Sequence, residues 1–559
     1  MDKMSNNEPL PILKRFFRLL TLERKTIAQI IYYALFAGVV NLSLPLGIQA
    51  IVNFIQMGDY STSWILLGIL VVLGVIFVGV LQLMQLRITE DLQQKIFTRT
   101  SFDLAYRFPK MKWSALQGRY APELANRFFE TLTIQKGVTK ILIDFSAALL
   151  QIIFGLILLS LYHPFFIAYG VVLLTLVVVI FKYSIPKGLE TSLLESKYKY
   201  KVVHWIQDIA RSLLSFKLSG KTTWAMDKSN VLIGSYLDAR EKHFKVLVRQ
   251  YLKMIGFKAL VTAALLFIGG TLVINQQMNI GQFVAAEIII LLMINSVEKL
   301  ILGLETFYDV LTSIEKLAQI NDIELEDMEE QSLSEKELGT TWQLEAHNIG
   351  FGFTENRLLS NINFILEPGD KYYLYGAHGS GKSTLIQLLL GIINPQEGHI
   401  SLQDRHLESI PRSQYHQGIG KVLARETLFE GTLRENISMM HPDISEEHIW
   451  DVITDCHLSD LVNQWPNGLE TPLQSEGLQM PGSVVRKILL ARALVKKPKI
   501  LVLEHFLEVF QKEEAAYFKA FLTRKEAPWT LLMVGQNKPE KGLWDKVWHI
   551  EEGTINEEQ

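Results

Sequence analysis

The chain has 559 residues, of which 49% are hydrophobic, with one cysteine and a formal net charge of −3, and a mean hydropathy of +0.18. That length calls for more than one domain, and that hydropathy exceeds what an ordinary soluble enzyme carries, so a membrane portion is expected. The near-neutral charge speaks against a nucleic-acid partner, and the single Cys456 excludes an internal disulfide or a thiolate metal cluster and reads as a small buried apolar residue.

From the N-terminus, residues 1–26 begin with a polar stretch that lacks the apolar core and cleavage site of a signal peptide, so this segment is expected to stay in the cytoplasm. Six apolar stretches follow, at residues 27–52, 64–86, 141–162, 165–185, 255–274 and 282–302, each near the length of about 20 residues that a spanning helix needs. The short loops at 53–63, 162–164 and 275–279 contain no Lys or Arg. The long connections carry many, including Arg87, Lys95, Arg99, Arg107, Lys110 and Lys112 in the first and Lys187, Lys197, Lys199 and Lys201 in the second. By the positive-inside rule the long connections, the N-terminus and everything after residue 305 face the cytoplasm, making a multi-pass protein of the cytoplasmic (inner) membrane with lipid as its solvent.

The two long connections, of about 55 and 70 residues, exceed any plain turn and read as polar continuations of the spanning helices. Pro45 should kink the first span, because its ring displaces a carbonyl one turn earlier. Glu287 in the sixth span is expected to face a cavity or a partner rather than lipid, which makes it a candidate for the substrate pathway. Glu298 and Lys299, near the cytoplasmic end, read as side chains snorkelling to the interface. The all-α six-helix transmembrane domain spans 27–317, and an acidic linker at 318–341, richest from 322 to 337, leads into a second domain at 342–559.

The second domain opens its chemistry with Gly376-Ala377-His378-Gly379-Ser380-Gly381-Lys382-Ser383-Thr384, a match to GxxxxGK[ST]. The apolar run Tyr372 to Tyr375 before it reads as a strand and Leu385 to Leu390 after it as part of a helix, the order that confirms a P-loop. Such a loop converges backbone N–H groups on phosphates, Lys382 reaches the outer phosphates as a point charge, and the Ser383 hydroxyl suits Mg²⁺. The fold class expected is therefore a multidomain membrane protein that joins six transmembrane helices to an α/β P-loop nucleotide-binding domain, with ATP and Mg²⁺ as cofactors.

Six spans in this spacing followed by a P-loop domain resemble an ABC half-transporter of exporter type, and the likeness covers nearly the whole chain. Asn361-Ile362-Asn363-Phe364 to Glu367-Pro368-Gly369-Asp370 is similar to the strand and turn before the P-loop. Leu428 to Ile437 resembles the segment after the Q-loop, and Ala491-Arg492-Ala493-Leu494, Pro498 and the strand at 500–503 resemble the signature helix and Walker B strand. The resemblance implies an aromatic at Phe353 stacking on adenine, Mg²⁺ held by Ser383 and Glu504, coupling helices near 120–126 and 208–217, and a homodimer or a heterodimer with another half-transporter. The run Ile280-Gly281-Gln282-Phe283-Val284-Ala285 is similar to haemolysin- and bacteriocin-type exporters of type I secretion, which implies a peptide or protein substrate and a periplasmic membrane-fusion partner. The N-terminal cysteine peptidase domain that many of those exporters carry is not expected here.

Departures from the family pattern fall on the chemistry. The Q-loop glutamine position holds Ala424, which can neither ligate a metal nor sense a phosphate. The LSGGQ signature reads Met480-Pro481-Gly482-Ser483-Val484, so Pro481 removes a backbone donor and a hydroxyl together. Glu504 replaces the Walker B aspartate, His505 the catalytic glutamate, Gln511 the D-loop aspartate and Gln536 the switch histidine. Losing a positioned general base costs about 10² to 10⁴ in rate, or roughly 3–5 kcal/mol of barrier, so the expectation is ATP binding with slow or absent hydrolysis. The competing expectation is a pseudo-ATPase, a membrane scaffold or nucleotide-gated regulatory subunit of another transport system.

Overall fold

The computed structural model describes residues 11–57, 62–326, 338–339, 341–353, 357–540 and 542–558. Two compact units result: one holds residues 1–111 and 116–325, the other residues 112–115 and 326–559. Half of the acidic linker, 327–337 and 340, lies outside the described residues.

In the first unit, six helical stretches are long and apolar enough to cross a membrane among the described residues, at Arg24–Gln56, Thr62–Lys110, Ala121–Tyr162, Phe165–Arg211, Trp224–Ile274 and Ile280–Asn321. Each contains one of the apolar stretches of the sequence and runs on into polar residues. A helix is the form a single chain can carry through lipid, since it satisfies its backbone internally. The first stretch is divided into α2 (Arg24–Asn41) and α3 (Ser43–Met57). Pro45 has no N–H, and its ring excludes the Asn41 carbonyl, so the ladder breaks at Leu42, whose N–H turns back to Val39 O at 3.2 Å. Preceding them, α1 (Ile12–Leu22) buries Phe16 edge-on against Phe307 at 5.5 Å, so the N-terminal segment is partly folded rather than merely polar.

The second to fourth stretches give α4 (Thr62–Arg107), α6 (Ala121–Asn126), α7 (Glu130–Tyr162) and α8 (Phe165–Arg211); α5 (Trp113–Leu116) comes between the second and third in sequence, with residues 113–115 belonging to the other unit. Then come α9 (Leu213–Leu218), α10 (Trp224–Ala264), α11 (Gly270–Ile274) and α12 (Ile280–Asn321). Short helices thus form at both places expected of coupling helices. The start of α12 is set by a capping box in which Asn279 accepts from the Gln282 N–H and the Gln282 side chain accepts from the Asn279 N–H. Gly281 follows from packing, because a Cβ there would lie 2.2 Å from Asn53 Oδ1 on α3. The helix continues to Asn321, four residues past the boundary expected at 317.

Two polar pairs within the spans bond across helices: Asn41 Nδ2 donates to Gln151 Oε1 at 2.9 Å and Tyr162 Oη to Gln49 Oε1 at 2.7 Å. In the extensions, Glu130 at the start of α7 accepts from Lys199 Nζ (3.1 Å), Tyr200 Oη (2.7 Å) and Ser313 Oγ (2.5 Å), which ties α7 to α8 and α12. Burial works to raise its pKa, but the donors of Ser313, Lys199 and Tyr200 outweigh it and hold the carboxyl below its ordinary range.

The second unit is α/β. Its six-stranded sheet has the order β12-β11-β3-β10-β9-β6, built from β3 (Lys371–Tyr375), β6 (Ile419–Val422), β9 (Ile500–Glu504), β10 (Thr530–Val534), β11 (Lys546–Glu551) and β12 (Thr554–Glu558). All neighbours are parallel except the β11–β12 hairpin. The central strands are apolar without alternation, as burial on both faces requires; β9 and β10 are buried at every position. A smaller antiparallel sheet has the order β2-β1-β4-β5, from β1 (Leu344–Phe351), β2 (Leu359–Leu366), β4 (Glu397–Leu402) and β5 (Arg405–His406). A helical subdomain, with α13 (Leu433–Ser438), α14 (Glu446–Asp455), α15 (Ser459–Gln464) and α16 (Gly482–Leu494), interrupts the chain between β6 and β9. Cys456 is fully buried in its core, and burial raises its thiol pKa.

Candidate functional site

The loop 376–380 joins β3 to the helix Lys382–Leu389. It lies beyond the carboxyl ends of the central parallel strands, where open α/β sheets bind ligands. Gly381 caps that helix at φ 101°, and a Cβ there would lie 2.6 Å from Leu359 Cδ2, so the position needs glycine on two grounds. The Lys382 ammonium is folded back on the loop, donating to the Gly376 and Ala377 carbonyls at 2.7 Å each. Burial pushes its pKa down, against the pull of Glu504 and Glu508. A phosphate offers these donors a charged acceptor in place of neutral carbonyls.

Glu504, the last residue of β9, is buried and spans two loops. Its Oε1 accepts from Ser383 Oγ at 2.5 Å and its Oε2 from the Ala424 N–H at 2.9 Å. A hydroxyl and a carboxylate side by side are hard oxygen donors of the kind Mg²⁺ takes, so Ser383 and Glu504 fit the metal. With one more methylene than aspartate, Glu504 reaches the backbone of the loop at Ala424. The same loop is held from its other side by Arg486 of α16, which donates to Leu423 O at 2.6 Å and Ala424 O at 2.9 Å. A hydrogen-bonded path therefore runs from the P-loop serine through Glu504 and residue 424 to the signature helix. Burial lowers the pKa of Arg486, with Glu426, Glu504 and Glu508 opposing.

His505 follows β9 in the left-handed region, at φ 50°, with its N–H donated to Val534 O at 2.8 Å. Its Nδ1 lies 2.8 Å from Glu508 Oε1, and since the carboxylate accepts, the imidazole carries its proton on Nδ1. Nε2 is then the nitrogen that can accept from water, without the fixed negative charge of a glutamate. Gln536 is exposed two residues beyond Val534, which pairs with Glu504 in register, so His505 and Gln536 both follow the carboxyl ends of adjacent strands. Phe353 is 56% exposed, packs edge-on to Phe351 at 5.1 Å, and borders with Ser383, Ala424 and Glu504 a cavity of about 740 Å³. Pro481 stands at the N-cap of α16, which has no side-chain cap, and Gln511 at the N-cap of the helix Lys512–Leu522.

Thus Lys382, Ser383, Ala424 and Glu504 come together, and Gly376 to Thr384 adopt the cradle. Glu508 and Arg486 escaped the sequence reading. The i, i+3 spacing of Glu508 to His505 was a usable signal, whereas the target of Arg486 is 62 to 63 residues away and carbonyls leave no trace in sequence.

In the membrane unit, Glu287 is half-buried and makes no hydrogen bond or ion pair among the described residues. It stands on the stripe of α12 that also carries exposed Leu291, Asn295 and Lys299. Glu298 differs from expectation: it forms an ion pair with Lys258 on α10 instead of snorkelling alone.

Family models match the chain twice, as ABC transporter over residues 359–505 and as ABC transporter transmembrane region over residues 27–210. The chain belongs to the ABC transporter superfamily and has the exporter-type half-transporter arrangement, six membrane helices followed by a nucleotide-binding domain. Among its relatives it is 28% identical over 275 residues to the uncharacterized ABC transporter ATP-binding protein YwjA of Bacillus subtilis, covering 49% of this chain and 48% of that protein. It is also 28% identical over 273 residues to the colicin V secretion/processing ATP-binding protein CvaB of Escherichia coli, covering 48% and 39%. The chain thus spans about half, or less, of the length of the curated relatives it matches. A solved structure of a bacterial Atm1-family ABC exporter with ATP bound matches at TM-score 0.82 and 16% identity, over 95% of this chain and 94% of that one, and so shares the fold.

Proposed function

We propose that this chain works as a dimeric exporter in the cytoplasmic membrane, binds Mg²⁺ and ATP at its P-loop, and hydrolyses ATP slowly or not at all. The observation that carries this reading is a contrast inside one site. The residue types suited to phosphate and metal, Lys382, Ser383 and Glu504, are all present at the P-loop, whereas the residue at the position of the catalytic base is an imidazole tied to Glu508. The dimer follows from the family, in which each ATP lies between the P-loop of one subunit and the signature of the other. With Pro481 in the signature and His505 beside the P-loop, this chain weakens both sites it would enter, whether its partner is identical or intact. The substrate class is a peptide or protein, supported by the secretion/processing proteins for colicin V and microcin H47 among its relatives and by the Ile280 to Ala285 run. A periplasmic membrane-fusion protein is the matching accessory partner.

The test is equilibrium ATP binding and ATPase activity of the purified chain in lipid, with and without co-expressed membrane partners. Wild type should bind ATP with Mg²⁺ and turn it over roughly 10²-fold or more slowly than an intact half-transporter in the same lipid. Lys382→Ala should lose most of its ATP affinity; unchanged affinity would sink the claim that this P-loop is the working site. ATP binding with no transport in any partner background would instead establish the pseudo-ATPase scaffold.

A further inference from the structure

A second cavity in the nucleotide-binding unit, of about 420 Å³, shares no lining residue with the cavity at the P-loop. Its walls come from three separate segments. His416 ends the short helix Arg412–Gln417 of the core, His441 and His448 flank the start of α14 in the helical subdomain, and Lys496 and Lys497 form the turn after α16. Five cationic or protonatable side chains therefore line one space. The acid in the lining, Asp443, is 87% exposed and lies 3.6 Å from His441 Nδ1. Glu326, Asp451 and Glu426 act on His416, His448 and Lys496 respectively, without lining the cavity.

The two ammonium groups have no hydrogen-bond or ion-pair partner among the described residues. Lys497 is held in the left-handed region at φ 51°, with its N–H donated to Leu494 O at 2.9 Å. Burial is the main cause of lowered pKa values at His416, His448 and Lys496, and neighbouring cations add to it: Lys497 on His448, Arg412 and Lys496 on His416, Lys421 and Arg492 on Lys496. Cations thus crowd this space, and Asp443 is the acid that shares its lining. His416 Nε2 donates to Leu390 O at 2.8 Å, which fixes that ring at the cavity wall.

We propose that this cavity binds a phosphate-bearing anion, clamped by Lys496 and Lys497 and seated against His416, His441 and His448, at the junction of the core and the helical subdomain. A phosphate suits the site better than a single carboxylate, because Ser413 and Gln417, His441 and His448, and Lys496 and Lys497 bring donors from three segments, and it presents several acceptor oxygens with more than one negative charge. Its volume falls in the range of small-ligand pockets, about 300–1,000 Å³. Bound there, the anion joins segments of both subdomains. This inference is independent of nucleotide binding at the P-loop.

The experiment uses the full chain in lipid nanodiscs and radiolabelled pyrophosphate as probe. In a Lys382→Ala background, which disables the P-loop, saturable pyrophosphate binding should remain. Adding Lys496→Gln with Lys497→Asn should weaken it by about tenfold or more, the loss expected from removing hydrogen bonds to charged groups, and His448→Gln should weaken it less. Asparagine tolerates the left-handed backbone at 497, and neither ammonium bonds to another of the described residues, so folding is spared. The same lysine replacements alone should leave ATP affinity unchanged. Absence of saturable binding in the Lys382→Ala chain, equal affinity after both lysines are replaced, or displacement by citrate as effective as by unlabelled pyrophosphate would each overturn the proposal.

Discussion

Replacing Arg486 with alanine isolates one half of the grip on the loop at Leu423 and Ala424. The guanidinium donates to the Leu423 and Ala424 carbonyls at 2.6 and 2.9 Å, while Glu504 separately holds the Ala424 N–H at 2.9 Å. Hydrogen bonds to charged groups are worth about 1.5–3 kcal/mol each, and the bond to Ala424 is solvent-exposed and counts for less. Together they should stabilise the loop against local opening by about 2–3 kcal/mol, which at about 1.4 kcal/mol per factor of ten is roughly 30- to 150-fold in the opening equilibrium. Hydrogen exchange of the full chain in nanodiscs reads this directly, through the amides of residues 423–425. Arg486→Ala should speed their exchange by that factor, and Arg486→Lys, with one cationic donor, should recover part of it. ATP affinity should change little, since the P-loop is untouched. Exchange at 423–425 as slow as in wild type would mean that Glu504 alone fixes the loop, and the path from P-loop to signature helix would lose its last link.

His505→Glu should raise ATPase activity only modestly, because Ala424, Pro481 and Gln536 remain and groups that act as a unit are non-additive; full activity from this single change would show that the other departures are harmless. Glu130→Ala strips Lys199, Tyr200 and Ser313 of their common acceptor and should cost roughly 2–3 kcal/mol, read as a lower midpoint in thermal unfolding. Because the folded-state pKa of Glu130 lies below 4.5, its contribution should be complete above that pH and fade as pH falls further; a wild-type advantage that persisted well below it would contradict the assigned network. Glu287→Gln should alter transport while leaving ATP binding intact, and unaltered transport would remove Glu287 from the pathway.

Much of the fold was legible because its signals are local. Apolar runs of spanning length, the Lys and Arg of the long connections and the strand, glycine loop and helix order around Lys382 each depend on residues close in sequence, and the resulting helices and sheet follow them. Pro45 likewise dictated where the first span divides. The residue types that stand at 424 and 481, an alanine and a proline, were visible too, because residue type is read from the sequence alone.

What residue type could not say is which partners these side chains and loops meet. That the extra methylene of Glu504 reaches the Ala424 N–H, that Arg486 closes on the carbonyls beside it, and that Lys258 meets Glu298 are consequences of chain segments 40 to 80 residues apart meeting in space. The cluster of His416, His441, His448, Lys496 and Lys497 is of the same kind, since three segments supply it and none is unusual alone. Hydrophobic periodicity and backbone chemistry act along the chain and can be read from it. Hydrogen bonds and charge act through space, so their partners were decided only by the tertiary structure.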